Sequence, residues 1–281
     1  MKCPECGTAV HSHLRNCPGC LLDCGFPNVR AASNAAEVAA LERRVSEARV
    51  SCDARGCLTL LDAFGLAVLS SKIVMARSLA DLHSFLESEN RLLVSYHRQV
   101  RSGGRMPQDN EWDRGRTAAE STIHPNYHED IQFACISVDH RGVDAWGEYH
   151  IVLKEQLVAQ RTTVFEENPF HFTRRHKIAA GQPPPLGYRA TWSERNKLAQ
   201  AKLHPELQSS TKTLEFSGIL VRQGTSTGNA EFIEAHIYGP LHRNAVELVT
   251  GPKPKNKVDA YLWNKVKRTL KMLGAKVQEI S

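Results

Sequence analysis

The stretch Glu231-Phe-Ile-Glu-Ala-His-Ile-Tyr-Gly-Pro-Leu241 contains the sharpest candidate for chemistry, Glu234, in a strand-like pattern. Side chains alternate between the two faces of a β-strand, so Ile233, Ala235 and Ile237 are expected to face a core. The opposite face then carries Phe232, Glu234, His236 and Tyr238. A carboxylate, an imidazole and a phenol beside an aromatic ring suit a ligand cleft. The alternative is that these side chains form the solvent-facing side of a half-exposed strand.

The segments around this stretch predict an α+β fold. Apolar runs of strand length are interspersed in residues 130–240, whereas helical periodicity dominates before and after them. The predicted strands are 131–138, 148–153, 162–165, 216–222 and 232–238. The predicted helices start near Asn34 and then span 58–75, 79–100, 192–203 and 258–273. This order lacks the regular alternation of strand and helix that a parallel α/β sheet requires.

Four cysteines near the start of the chain predict a zinc ribbon. They are spaced Cys3-x2-Cys6-x10-Cys17-x2-Cys20, and each pair carries proline or glycine in its turn. Two such pairs complete a tetrahedral, closed structural site that leaves no position for catalysis. Cys24, His11 and His13 are possible substitute ligands. Two disulfides are the alternative, but no secretory signal precedes the cysteines, so we expect a cytoplasmic protein.

The positive charge of the chain is concentrated at its C-terminal end. The formal net charge is +6, and residues 251–281 alone hold seven lysines and one arginine against Asp259 and Glu279. Clustered cations attract phosphates, although a solubilising surface has the same composition. The sequence contains no run of 18 apolar residues, so no membrane span is expected. It also lacks a phosphate-binding glycine loop, a serine nucleophile elbow and a His-Glu-x-x-His motif.

Three ordered motifs carry a resemblance to a known family. Glu234-Ala-His-Ile-Tyr-Gly-Pro-Leu, followed by Ala245-Val-Glu-Leu-Val, resembles the last motif of mono-ADP-ribosyltransferase-like domains of the bacterial toxin and defence type. Trp146-Gly-Glu-Tyr-His-Ile-Val-Leu-Lys with Arg161-Thr-Thr-Val-Phe resembles the middle strand pair of that family. Pro125-Asn-Tyr-His, followed by Ile-x-Phe-Ala, resembles an earlier strand. The likeness covers roughly residues 96–250.

The resemblance implies a split β-sandwich with flanking helices and a set of site residues for NAD. Glu234 would be the catalytic carboxylate, and Thr162 or Thr163 the hydroxyl at the nicotinamide pocket. Tyr149 lies in the matched middle motif and is expected to contact the cofactor. The first motif of the family needs an arginine or a histidine. His97 and Arg98 are the first candidates for it, with His140 and Arg141 as the alternative, and ordinary surface polarity would explain all four equally.

One departure from the family pattern concerns the acceptor. Members that modify arginine carry a Glu or Gln two residues before the catalytic glutamate, where this chain has Phe232. Basic residues interleaved with Tyr188 and Trp192 instead favour a nucleic acid, although a solvated amphipathic helix is the alternative. The expected nucleic-acid contacts are Arg189, Arg195, Lys197 and Lys202, followed by Lys265, Lys267, Arg268 and Lys271 in the tail.

These observations together predict three segments and one activity. The segments are a zinc ribbon at 1–27, a helical linker or arm at 28–95 and a catalytic domain at 96–281 with a basic C-terminal helix. The predicted activity is transfer of ADP-ribose from NAD to RNA or DNA by a toxin or anti-phage effector, with a protein antitoxin as a possible partner. The alternatives are a zinc-ribbon nucleic-acid-binding regulator without catalysis and a transferase that acts on protein.

Overall fold

The structure is a computed structural model that describes residues 1–106, 111–179, 181–224 and 229–280, without the side chains of 111–114. The helices are α1 (Pro27–Ala32), α2 (Ala35–Ala54), α3 (Leu58–Leu69), α4 (Leu79–Glu87), α5 (Tyr96–Arg101), α6 (Glu111–Ile123), α7 (Glu155–Val158), α8 (Pro169–Arg175), α9 (Arg195–Leu203), α10 (Phe216–Leu220) and α11 (Lys257–Met272). The strands are β1 (Lys72–Arg77), β2 (Leu92–Leu93), β3 (Ile131–Ser137), β4 (Tyr149–Leu153), β5 (Thr162–Phe165), β6 (Arg189–Thr191), β7 (Val221–Arg222), β8 (Glu231–Phe232), β9 (Glu234–Tyr238), β10 (Leu241–His242), β11 (Val246–Pro252) and β12 (Lys276–Ile280).

Within the described ranges, eight strands form one mixed sheet in the order β12-β11-β4-β1-β3-β9-β5-β6. The β11–β12 pair is parallel and the other neighbours are antiparallel. Strand β1 is shared between two halves, because residues 72–74 pair with β3 and residues 74–77 pair with β4. Together with helices before, between and after the strands, this sheet confirms the predicted mixed α and β content.

Strand β1 corrects the prediction for residues 58–100. The predicted helix 58–75 ends at Leu69, and its last residues belong to β1. The second predicted helix, 79–100, is divided into α4, β2 and α5. The side chains of residues 73–76 are all buried, so a central strand of this kind shows no alternation that distinguishes it from a buried helix. Part of the expected helical arm at 28–95 therefore lies in the central sheet.

The strand that contains Glu234 is shorter than predicted. Ile233 interrupts the pairing, so Phe232 belongs to β8 and pairs with Val221 of β7. The ring of Phe232 contacts Trp146 edge-on with centroids 5.2 Å apart. The predicted strand 216–222 is likewise mostly helix α10, and only Val221 and Arg222 are extended. The alternation from Glu234 to Tyr238 is retained, whereas Phe232 lies outside that strand.

The N-terminal segment is fastened to the sheet through α1. Arg30 donates hydrogen bonds to the carbonyl oxygens of Ser12 at 2.8 Å, Leu14 at 2.7 Å and Cys24 at 3.1 Å. From the same helix, the Nδ2 atom of Asn28 donates to the carbonyl oxygen of His236 at 3.0 Å. Arg30 thus holds the cysteine-rich segment, and Asn28 holds α1 against β9.

None of the helices within the described residues has the length and apolar character that crossing a bilayer demands.

Candidate active site and metal centre

The four predicted zinc ligands lie together at the N-terminus. The sulfur atoms of Cys3, Cys6, Cys17 and Cys20 all lie within 4.8 Å of one another. The Sγ atoms of Cys3 and Cys20 are 3.6 Å apart, and those of Cys6 and Cys17 are 3.5 Å apart. A tetrahedral zinc with Zn–S distances of about 2.3 Å separates its sulfurs by about 3.8 Å. The donor set and its spacing therefore fit one zinc ion.

The turn geometry of this cluster supports the same conclusion. The backbone N–H of Gly19 points at the Sγ of Cys17 at 3.3 Å. A side chain at Gly19 would collide with the hydroxyl of Thr8, 2.6 Å from the ideal Cβ position. The substitute ligands considered from the sequence are not part of the cluster found among the described residues, which contains neither Cys24 nor His11 and His13.

Glu234 begins β9, between β3 and β5, and its carboxylate is only 2% exposed. The Nδ2 atom of Asn168 donates a hydrogen bond to Glu234 Oε1 at 3.1 Å. The Oδ1 atom of Asn168 accepts from the backbone N–H of Phe170 at 3.0 Å and so caps α8. One amide therefore fixes both the start of a helix and one oxygen of the buried carboxylate.

The second oxygen of Glu234 belongs to a row of buried polar side chains. His236 Nε2 lies 2.9 Å from Glu234 Oε2, and His236 Nδ1 lies 2.7 Å from Nε2 of His124. His124 Nδ1 lies 3.3 Å from the hydroxyl of Tyr127. The rings are held by neighbours, since Phe165 stacks on His236 with centroids 5.4 Å apart. Both histidines are at most 2% exposed.

A second carboxylate, Glu120, approaches from α6. The carbonyl oxygen of Glu120 accepts from the backbone N–H of His124 at 2.8 Å, so the two side chains are one helical turn apart on the same face. Because His124 meets His236, Glu120 lies toward Glu234, which is two residues before His236 on β9. The Glu120 carboxylate bonds His97 Nε2 at 2.7 Å and lies 3.7 Å from Nε of Arg116.

The electrostatics of this row follow from burial. Desolvation raises the pKa of Glu234 well above 4.5, and the charge of Glu120 raises it further. The hydrogen bond from Asn168 opposes this shift. Desolvation lowers the pKa of His236 to about 3, and it also lowers the pKa of His124 well below 6.5. Both imidazoles are therefore neutral at ordinary pH, whereas Glu234 is a carboxyl group that titrates far above its usual range.

The predicted hydroxyls adjoin this row but already have partners. Thr163 pairs with His236 across β5 and β9, and its Oγ1 atom lies 3.5 Å from Asn28 Nδ2. Thr162 donates to the carbonyl oxygen of Val158 at 2.7 Å. Both side chains are buried. Thr163 is consequently the nearer of the two to the Glu234 row, while Thr162 closes the turn before its strand.

The four candidates for the first family motif lie in different surroundings. His97 bonds Glu120 and is brought toward Glu234, whereas Arg98 pairs with Asp130 and its side chain is 54% exposed. Of the alternative pair, Arg141 forms an ion pair with Asp144 at 3.4 Å beyond the end of β3. His140 occupies a turn with φ of 66°. Of these four candidates, only His97 lies beside Glu120 and the row of buried polar side chains.

Tyr149 lies in the other half of the sheet, on β4. Its hydroxyl donates to the carbonyl oxygen of Pro252 at 3.2 Å. Its ring contacts Trp263 of α11 with centroids 4.9 Å apart. These contacts tie β4 to α11 and β11, so Tyr149 is not placed with Glu234, despite its position in the middle motif.

Most of the basic residues predicted around α9 are engaged inside the protein. Arg195 is 5% exposed and donates to the carbonyl oxygens of Val68, Leu69 and Trp192. Lys202 donates to the carbonyl oxygens of Glu166 at 2.7 Å and Phe232 at 3.0 Å. Lys197 lies between Glu42 and Glu194. The side chain of Arg189 is 11% exposed, with Glu37 3.5 Å away. These contacts explain Arg195 and Lys202 as structural, whereas Lys197 is held in partly exposed ion pairs and Arg189 faces a cavity.

The tail cations are placed differently. Lys265, Arg268 and Lys271 are exposed on α11, while Lys267 pairs with Glu279 at 3.0 Å. This helix packs Trp263, Val266 and Leu270 inward, so its outer face carries the charges.

A cavity of about 550 Å³ lies between the N-terminal segment, the end of α6 with the residues that follow it, and the proline-rich loop at residues 181–184. Its walls include Ser12, Arg30, Tyr127, Gln182 and Arg189, but not Glu234. Tyr127 is the member of the buried row that reaches this cavity.

Sequence reasoning missed Asn28, Glu120 and His124 as members of this site. His124 contacts a residue 112 positions away, and Asn28 one that is 208 positions away. No local pattern marks such contacts. His124 directly precedes the matched stretch Pro125-Asn-Tyr-His. Its position beside that motif was the signal that could have marked it as a site residue.

Comparison with solved structures gives a likeness, whereas the other comparisons give none. No protein-family model and no curated protein matches the chain. A solved structure of Thermus sp. 2.9 DarT in complex with carba-NAD+ resembles it at 11% identity with a TM-score of 0.37. The match covers 75% of this chain and 96% of that chain. A TM-score of 0.37 is too low to establish that the two chains share a fold.

Proposed function

We propose that this protein is a mono-ADP-ribosyltransferase that uses NAD as donor and Glu234 as its catalytic carboxylate. The observation that carries the proposal is the buried carboxylate of Glu234, which is held on a central strand by Asn168 at 3.1 Å and His236 at 2.9 Å. Burying a carboxylate at 2% exposure costs stability because desolvation disfavours its charge, and such perturbed groups are concentrated at functional sites.

The chemistry of ADP-ribosyl transfer suits this geometry. The bond between the ribose and nicotinamide breaks, its electron pair leaves with nicotinamide, and positive charge develops on the ribose. A new bond forms from the acceptor nucleophile to the ribose, and the acceptor loses a proton. A fixed carboxylate stabilises the developing positive charge at low reorganisation cost. Glu234 is the candidate for this role because both of its oxygens are oriented.

Glu120 and His97 provide the remaining polar groups on the same side. Glu120 lies one helical turn before His124, and its carboxylate contacts the imidazole of His97 at 2.7 Å. We assign His97 to the first family motif and leave Arg98 outside it, because only His97 is directed inward. Thr163 is the preferred hydroxyl of the middle motif. The division of the sheet at β1 is the feature that supports the split β-sandwich description.

We further propose a nucleic acid as the acceptor. The support is the exposed row Lys265, Arg268 and Lys271 on α11, since Arg195 and Lys202 of α9 donate to carbonyl oxygens in the interior. A role as toxin or defence effector, restrained by a protein inhibitor, follows from the resemblance alone. The zinc is proposed to have a structural role, because four thiolates leave no open coordination position.

The test compares Glu234→Gln with Glu231→Gln, using labelled NAD and cell extract. Glu231 is a matched control because its side chain is 53% exposed and pairs with Arg222 at 3.2 Å. Transfer should fall by about 100- to 1000-fold in Glu234→Gln, as expected for one preorganised electrostatic group, and stay within a few-fold in Glu231→Gln. Transfer at the wild-type rate by Glu234→Gln would contradict the assignment.

Separate nuclease and protease digestion of the labelled product identifies the acceptor. Label removed by RNase or DNase supports the nucleic-acid acceptor, and label removed by protease supports a protein acceptor. If the wild-type chain releases no nicotinamide from NAD, the non-catalytic regulator replaces the transferase.

A further inference from the structure

We infer that Tyr127, His124 and His236 form a proton relay that connects the buried carboxyl group of Glu234 to the cavity beside α1. The relay rests on the proposed function in one respect, namely that the proposed function requires Glu234 to be charged. Its geometry stands independently, in three successive contacts of 2.9, 2.7 and 3.3 Å.

The three contacts have a consistent hydrogen-bond direction when Glu234 is ionised. Tyr127 then donates its hydroxyl proton to His124 Nδ1, and His124 donates from Nε2 to His236 Nδ1. His236 donates from Nε2 to Glu234 Oε2. Each imidazole is neutral and uses one nitrogen as donor and the other as acceptor, so each side chain of the row is satisfied.

The opposite direction is equally complete when Glu234 is protonated. Glu234 donates to His236 Nε2, His236 donates from Nδ1 to His124 Nε2, and His124 donates from Nδ1 to the oxygen of Tyr127. The hydroxyl proton of Tyr127 then turns away from His124, while the residue itself lines the cavity. Both histidines have changed tautomer, and neither has gained a charge.

Conversion between the two directions moves one proton out of the site. The proton of Glu234 passes to His236 Nε2, the Nδ1 proton of His236 passes to His124, and the Nδ1 proton of His124 passes to Tyr127. Tyr127 releases its previous proton to water in the cavity that it lines. The sum is ionisation of Glu234 and release of one proton, with no oxidant, reductant or metal required.

Burial explains why a relay is needed. Glu234, His236 and His124 are each at most 2% exposed, so the carboxyl group of Glu234 is largely shielded from bulk solvent. Tyr127 is also buried, at 5% exposure, but belongs to the wall of the 550 Å³ cavity. The arrangement is not a metal site, because each nitrogen faces the next side chain in the row and not a common point.

Several charged groups around the row modulate its titration. Glu120 raises the pKa of Glu234, whereas Arg116 and Lys202 lower it. Arg189 and His128 oppose protonation of His124. Desolvation, with Glu120, Arg116 and Lys202 as smaller contributions, sets the pH at which Glu234 ionises, while the row sets the path that the proton takes.

The test is the tautomeric state of the two imidazoles, measured by nitrogen NMR on protein labelled with ¹⁵N-histidine. Signals among the 13 histidines are assigned with single His→Gln variants. We expect His124 and His236 to carry their proton on Nε2 at high pH and on Nδ1 at low pH. Both should switch at one shared midpoint without becoming imidazolium. Independent midpoints, or a histidine whose tautomer never changes, would overturn the relay.

Two variants sharpen the result. Glu234→Gln should abolish the switch, since an amide does not titrate, and a switch that persists would contradict the proposal. Tyr127→Phe should slow exchange between the two tautomeric states at least tenfold, because the outlet to the cavity is removed. Tyr238→Phe is the matched control, as Tyr238 lies beside Tyr127 with ring centroids 6.3 Å apart but outside the row. An equal effect of both phenylalanine variants would overturn the assignment of Tyr127.

This measurement separates the relay from the proposed function. A shared tautomer switch in a protein without NAD turnover would keep the relay and remove the transferase. Turnover that depends on Glu234, without a shared switch, would keep the transferase and remove the relay.

Discussion

Asn168 and Glu234 are joined by a 3.1 Å hydrogen bond in which the same amide also caps α8. The carbonyl end of Asn168 stabilises the helix, and its NH₂ end orients the carboxylate. These two roles can be separated by one substitution, because aspartate is as good an N-cap as asparagine but has no NH₂ group.

Asn168→Asp is therefore expected to preserve the fold and impair the site. The new carboxylate would face Glu234, and like charges at short range raise the pKa of a carboxyl group. The acidic limb of the pH–rate profile should move to higher pH. Because the helix cap is kept, the free energy of unfolding should change little where Glu234 is protonated and fall only at higher pH, where the two carboxylates repel each other. A profile that coincides with the wild type would show that Asn168 does not contact Glu234 in solution. Asn168→Ala is the companion variant, with a loss of about 1 kcal/mol from the missing cap.

Metal analysis should find one zinc ion per chain, and Cys17→Ser should abolish it. Structural zinc in small modules contributes about 10–16 kcal/mol at neutral pH, so the first 25 residues should lose their fold without it. Limited proteolysis measures this directly, with cleavage expected between Cys3 and Cys24 after chelation. Cys135→Ser is the control, since Cys135 is a buried thiol on β3 that is far from the cluster in sequence. Full zinc content in Cys17→Ser would refute the ligand set.

Stability should depend on pH in a way that reports on Glu234. Its pKa is raised in the folded chain, so between pH 4.5 and that raised value the folded state binds more protons than the unfolded state. The free energy of unfolding contributed by this group therefore falls as pH rises through that window. Relative to wild type, Glu234→Gln should gain up to about 1.4 kcal/mol per pH unit there. Denaturant titrations between pH 5 and 8 provide the measurement, and a pH-independent difference would contradict burial of the charge.

His124 and His236 have the opposite effect at lower pH. Both remain neutral in the folded chain, whereas the unfolded chain protonates them below 6.5. The unfolded state then binds more protons, so stability is lost as the pH falls from 6.5 toward 3. Wild-type protein should therefore be most stable at a pH that is high enough to leave both histidines neutral in the unfolded chain and low enough to keep Glu234 protonated in the folded chain.

The exposed cations of α11 should determine the salt dependence of nucleic-acid binding. Each of Lys265, Arg268 and Lys271 replaced by Gln should reduce the slope of log affinity against log salt by about 0.9 on duplex DNA. Lys267 should contribute less because it pairs with Glu279. Lys197→Gln is the control, since Lys197 is held by Glu42 and Glu194. A slope that responds to Lys197 but not to the α11 residues would move the interface to α9.

The difference between what the sequence revealed and what it concealed has a physical basis. The cysteine spacing predicted the metal cluster, because a ligand pair within one turn is a local feature. The alternation of Glu234, His236 and Tyr238 was local as well, and the structure keeps it. Strand β1 was misread as helix because both of its faces are buried, which removes the periodic signal.

Charge was the least informative pattern. Lys202 and Arg195 look like surface cations in the sequence, yet each satisfies backbone carbonyls in the interior. Their partners are distant in sequence: Lys202 reaches Phe232, 30 positions away, and Arg195 reaches Val68, 127 positions away. Composition predicts that cations are present, but only the folded chain determines which of them face solvent.

The hydrogen bond from Asn28 to His236 has a consequence for synthesis of the chain. The two residues are 208 positions apart, so the cysteine module and α1 leave the ribosome long before β9 exists. The zinc module can fold first, but α1 has no strand to dock on until most of the chain has been translated. A nascent or truncated chain that ends before residue 234 is therefore expected to keep the cysteine cluster but lack the complete site. If the proposed transferase activity is harmful to the cell that makes the protein, this order of assembly delays the harm until translation is nearly complete.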